Sequence, residues 1–98
     1  MLEKIKAAVK KVEKAAERHG ITIDLIEISE EVTLGEPYNE IIPASASVYA
    51  GREILIWSYK DGIIYSLISK EGDTVRRYKV AAAALVAAHK LDQLDGEL

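Results

Sequence analysis

The sequence predicts an α+β domain, with a helix at each end and an antiparallel β-meander of three to four strands between them, the helices packed on the sheet. Three observations carry that expectation. Apolar residues recur every three or four positions up to residue 19, alternate every second position from residue 21 and again over residues 45–69, and crowd into an alanine-rich run towards the C-terminus. With 98 residues, 49% of them hydrophobic, there is material for one modest core, and residues 1–98 read as a single domain.

The first element places Leu2, Ile5, Val9, Val12, Ala16 and His19 on one helical stripe and the lysines on the other side. Arg18 and His19 suit the negative end of the helix dipole and Gly20 suits the C-cap, so the helix is predicted to end at His19. From Ile21 the period changes to two, which predicts a strand reaching Ser29. Residues 30–44 contain Gly35, Pro37 and Pro43; since proline cannot donate to a ladder, a long loop is expected there.

Residues 45–69 contain two hairpin signals. Gly51-Arg52 suits a type II′ turn and Asp61-Gly62 a type I′ turn, each closing a two-residue loop. In those registers Tyr49 faces Ile54 and Tyr59 faces Ile64. Alternation then assigns Ala46, Val48, Leu55, Trp57, Tyr59 and Ile64 to the face under the helices, with Trp57 as a packing residue. The opposite face gathers Tyr49, Ile54, Ile56, Lys60 and Tyr65 with several hydroxyls, a mixture that points to a binding surface.

Asp73 or Thr74 is placed to cap a final helix with the body VRRYKVAAAALVAAHKLDQL. Its alanines make it slim, so a sheet, a second helix or a second copy of the chain can approach its backbone closely. Arg76, Arg77 and Lys79 then fall in its first turn, where positive charge opposes the dipole and invites an external anion.

The net charge of -3 conceals segregation along the chain. Lys4, Lys6, Lys10, Lys11, Lys14 and Arg18 outnumber Glu3, Glu13 and Glu17 in the first helix, whereas Asp24, Glu27, Glu30, Glu31, Glu36 and Glu40 follow without a basic neighbour. Cysteine is absent, which excludes disulfides, thiolate metal sites and a cysteine nucleophile. The longest apolar run, residues 80–88, is far short of the ~20 residues of a membrane span. The first residues lack a secretory core, so no membrane association and a cytoplasmic location are expected. A single Asn and a single Gln beside twelve Ile, eleven Glu and nine Lys match the bias of proteins from hot environments.

Catalytic and cofactor motifs are missing. His19 and His89 stand apart without metal-ligand spacing, no glycine-rich phosphate loop occurs, and the serines lack a nucleophile elbow and base. The glutamates of residues 27–40 read as a solvated edge rather than an acid/base pair. The expectation is therefore a non-enzymatic binding domain with no metal, no cofactor and no evident small-molecule substrate.

Two partners fit. Low-specificity nucleic-acid binding would use Tyr49, Arg52, Ile54, Ile56, Lys60 and Tyr65 on the mixed face, with Arg76, Arg77 and Lys79 beside it. Alternatively, a homo-oligomeric structural or adaptor protein would use the sheet face or the alanine-rich helix as its subunit interface. The order of elements and the stretch RRYKVAAAALVAAHKL resemble the double-stranded-RNA-binding domain, in which a basic first turn leads an alanine-rich helix. That resemblance is confined to residues 76–91, and the family's histidine-containing loop has no counterpart here.

Overall fold

The computed structural model describes residues 2–60 and 62–96, the side chains of 95 and 96 excepted. Helix α1 spans Leu2–His19 and buries Ile5, Ala8, Val9, Val12, Ala15 and Ala16, while its lysines face outwards. Its end follows the expected chemistry. Gly20 adopts φ +64°, its N–H donates to the Glu17 carbonyl at 3.3 Å, and the Ile21 N–H donates to the Ala16 carbonyl at 2.9 Å. These are the paired bonds of a Schellman cap.

Ile21 and Ile23 pack against the core, but the ladder starts only at β1, Leu25–Ser29. The predicted loop is partly a hairpin, formed by β2 (Val32–Leu34) and β3 (Glu40–Ile42). Its prolines bound the strands instead of interrupting them: Pro37 lies in the tip and Pro43 follows β3. At the tip, the Tyr38 and Asn39 N–H groups donate to the Gly35 carbonyl at 3.0 and 3.1 Å, and Asn39 takes φ +46°, which its short side chain tolerates. Neither strand of this arm packs closely on the rest of the chain.

The main sheet continues with β4 (Ser45–Tyr49), β5 (Glu53–Tyr59), β6 (Gly62–Ile68) and β7 (Thr74–Tyr78). It is a five-stranded antiparallel sheet of order β1-β4-β5-β6-β7, broader than the three to four strands expected, and the arm is inserted between its first two strands. The final helix, α2, spans Ala81–Gly96. The residues assigned to its first turns instead form β7, because Thr74, Val75 and Tyr78 suit a strand and β6 offers a free ladder edge. Leu67 is opposite Arg76 and Ile68 opposite Thr74, which leaves Val75 as a β-bulge. Arg76 and Arg77 are thus strand residues, the supposed conflict with a helix dipole does not arise, and the likeness to the double-stranded-RNA-binding domain loses its basic first turn.

The hairpin registers also differ from expectation. Three residues, Ala50, Gly51 and Arg52, join β4 to β5, so Tyr49 is opposite Glu53, Val48 opposite Ile54 and Ala46 opposite Ile56. Gly51 sits at φ +81°, the Ala50 N–H donates to the Arg52 carbonyl at 3.0 Å, and the Gly51 N–H donates to Asp24 Oδ2 at 3.3 Å. A Cβ on Gly51 would strike the Asp92 side chain. One extra loop residue reverses the face of everything on β5 relative to β4. In the second hairpin Tyr59 is opposite Gly62, and Lys60 at φ +47° begins the loop. Asp61, of the expected Asp61-Gly62 turn, lies outside the described residues. This two-residue slip leaves the faces of β5 and β6 unchanged relative to each other.

The outcome is that Ile54 and Ile56, both 0% exposed, join Ala46, Val48, Tyr65 and Leu67 in the core. Both helices pack on this face and against each other. Ala81, Ala84, Leu85 and Ala88 form the buried side of α2, where the small residues permit the close approach predicted. Among the described residues, no helix is long and apolar enough to cross a membrane.

Candidate functional site

Since both helices lie on one side of the sheet, its other face stays open. Alternation places Glu27, Ser47, Tyr49, Glu53, Leu55, Trp57, Tyr59, Ile64, Ser66 and Arg77 there. The face is polarised along the strands. Glu53 marks one end, where its Oε2 accepts from the Ser47 hydroxyl at 2.8 Å, and Glu27 lies in the middle row with Ser47, Leu55, Ser66 and Arg77. The other end carries aromatics and cations.

At that end Trp57 is half-buried, and its Nε1–H donates to Ser66 Oγ at 2.9 Å. This satisfies the indole and fixes the ring's orientation. Tyr59 meets Trp57 edge-on, with centroids 5.7 Å apart and planes at 60°. Lys60 Nζ lies 5.3 Å from the centre of the Tyr59 ring and the Arg77 guanidinium 6.0 Å from that of Trp57, within cation–π range. Together with Ile64 and Lys79 these side chains line a cleft of about 780 Å³, a size within the range of ligand pockets. Lys79 also lines a neighbouring groove with Lys11 and Arg18 of α1, so positive charge continues from the cleft around the edge of the sheet.

Only part of the surface nominated from sequence assembles. Lys60, Arg77 and Lys79 meet in the cleft. Ile54 and Ile56, each 0% exposed, and Tyr65, 3% exposed, are core residues, a correction that follows from the three-residue β4–β5 loop. Burial pushes the Tyr65 phenol above its ordinary pKa. Arg52 is buried towards the opposite end of the sheet, lining a groove with Ser69 and Glu71. Tyr49 lies on the open face but pairs with Leu25 and Glu53, away from the cations. Arg76 shares the helix-side pleat with Leu67 and covers the Tyr78 ring at 5.3 Å.

Trp57 moves the other way, from the predicted core to the open face, and Tyr59 with it. Gly51 alone could not reveal this, because glycine serves both a two-residue II′ loop and the αL position of a three-residue loop. The usable signal was the β-branched pair Ile54 and Ile56, which suits a face packed against alanine-rich helices better than Trp57 and Tyr59 do.

The cleft sets flat π-surfaces beside cations, a combination chemically suited to planar rings and anionic groups. Among the described residues, no three His, Asp or Glu side chains cluster in a way that could hold a metal ion. Compared with protein-family models, curated proteins and solved structures, the chain finds no match in any of the three.

Proposed function

We propose that this chain is a non-catalytic binding domain that holds single-stranded nucleic acid with little sequence preference. The observation that carries the reading is the pairing of Trp57 and Tyr59 on an uncovered sheet face, ringed by Lys60, Arg77 and Lys79, in a chain whose net charge is -3. Every base has a π-face, so stacking on these rings tolerates any sequence, at ~1–3 kcal/mol per base. A duplex hides its base faces, which favours a single strand. The cations meet the phosphates, and the Lys79–Lys11–Arg18 groove extends the path for the backbone.

Fluorescence anisotropy of labelled single- and double-stranded oligonucleotides, titrated at low and moderate salt, tests this. Single strands are expected to bind more tightly, with a log–log salt slope of about -2 if the three cleft cations each neutralise one phosphate. Trp57→Ala is expected to lower affinity roughly tenfold or more while the protein stays folded, because the ring lies outside the helix-packed core. Absence of binding to any oligonucleotide at low salt overturns the proposal.

A further inference from the structure

The β2–β3 arm is an unusual element for a chain this size. Its side chains Val32, Tyr38, Ile41 and Ile42 are 48%, 72%, 61% and 46% exposed. It also carries Glu30, Glu31, Glu36 and Glu40, and no Lys or Arg occurs between Arg18 and Arg52. An apolar hairpin held away from its own core, with charge of one sign, has the character of a surface completed by another molecule.

The complementary surface is present on the same chain. The cleft combines the apolar rings of Trp57 and Tyr59 with Lys60, Arg77 and Lys79, so it matches the arm in both apolar character and opposite charge. The positions also agree. Ser29 and Ser45, which flank the residues leading into the arm, pair with each other, and Ser45 in turn is opposite Trp57, itself opposite Ile64. Arm and cleft therefore share one end of the sheet, the arm rising from the β1–β4 side and the cleft lying across β5–β7. Two copies placed end to end about a two-fold axis exchange arms, each contact repeated by symmetry as an isologous dimer requires.

We propose that the acidic arm of one copy seats in the aromatic–basic cleft of a second copy, forming a reciprocal arm-exchanged dimer. The arm then supplies glutamates and the Tyr38 ring where a nucleic acid would supply phosphates and bases. Dimer and oligonucleotide compete for one cleft; that competition rests on the nucleic-acid reading, while the dimer stands on the arm and cleft alone.

A charge exchange on the full chain tests the dimer. Size exclusion with light scattering is expected to give twice the monomer mass for the unaltered protein. Glu36→Lys with Glu40→Lys brings the arm to zero net charge and sets two lysines against a cationic cleft, and Arg77→Glu with Lys79→Glu sets two glutamates in the cleft against an acidic arm, so each variant alone is expected to run as a monomer. Their mixture restores both contacts and is expected to return to the dimer mass. Far-ultraviolet circular dichroism confirms that each variant is folded, and since all four positions are exposed, the fold is expected to survive. A monomeric unaltered protein at every concentration, or a dimer indifferent to both pairs of substitutions, overturns the inference. A dimer that ignores oligonucleotides leaves it standing and overturns the nucleic-acid reading, and a monomer that binds them does the reverse.

Discussion

The two faces of the central sheet are built from alternate residues of the same strands, yet they have opposite fates. Along β5, Ile54 and Ile56 are fully buried beneath the helices, while Leu55 and Trp57, which alternate with them, are only half-covered. The covered face is filled by aliphatic side chains against alanines, where close packing leaves no room for solvent. The open face keeps its aromatic rings accessible and anchors one of them through the Trp57–Ser66 hydrogen bond. Hydrophobicity alone therefore does not distinguish core from site in this domain; the helix positions do.

Truncation separates the faces most sharply. Ile56→Ala, at a site with 0% exposure, is expected to cost ~2–5 kcal/mol, a large part of a small domain's stability. Leu55→Ala, one residue away on the half-covered side, is expected to cost about 1 kcal/mol, since less apolar area returns to water. Urea denaturation of both variants checks this, and equal losses would abolish the distinction between the faces.

The next effect lies in the loop that decides which residues go to which face. Gly51→Ala introduces a side chain at φ +81° and against Asp92, and is expected to destabilise the protein by more than ~1 kcal/mol. Adding Asp92→Ala removes the nearest, carboxylate atoms but leaves the residue-92 Cβ at 2.8 Å and the backbone strain, so it is expected to restore only part of the loss. Full recovery in thermal melts would mean that the backbone conformation carries no strain.

The smallest effect is electrostatic and belongs to the covered face. Because burial raises the Tyr65 pKa, the unfolded chain loses the phenol proton before the folded one does. Below about pH 10 the group is protonated in both states and adds no pH dependence; above it, stability falls as pH rises. Tyr65→Phe is expected to lessen the decline in denaturation midpoint across this alkaline range relative to the unaltered protein. An identical decline in both proteins would mean that Tyr65 ionises equally easily folded and unfolded.

Local signals proved legible where a single residue type meets a single geometric demand. The end of α1 at His19 was written in Arg18, His19 and Gly20, and the cap forms as those residues require. The prolines of residues 30–44 correctly excluded one continuous strand, yet the β2–β3 arm was missed because prolines at a tip and beyond a strand end leave a short hairpin intact. The strand β7 was missed because VRRYKV suits either a helix start or a sheet edge, and only the available edge of β6 favoured the latter. For the candidate site, Lys60, Arg77 and Lys79 were visible as cations, but their grouping with Trp57 and Tyr59 depended on that strand.

By itself, the sequence determined the α+β class, the terminal helices, the antiparallel character of the centre and the absence of cysteine chemistry. These follow from periodicity, caps and composition, which act over a few residues. Tertiary structure decided the register of β4 on β5, and through it whether Trp57 or Ile56 lies beneath the helices. The reason is the two-residue period of a strand: one additional loop residue reverses every side chain at once, and the choice between the two arrangements belongs to the packing of the whole core. The meander was predictable, but which of its faces the helices would leave uncovered was not.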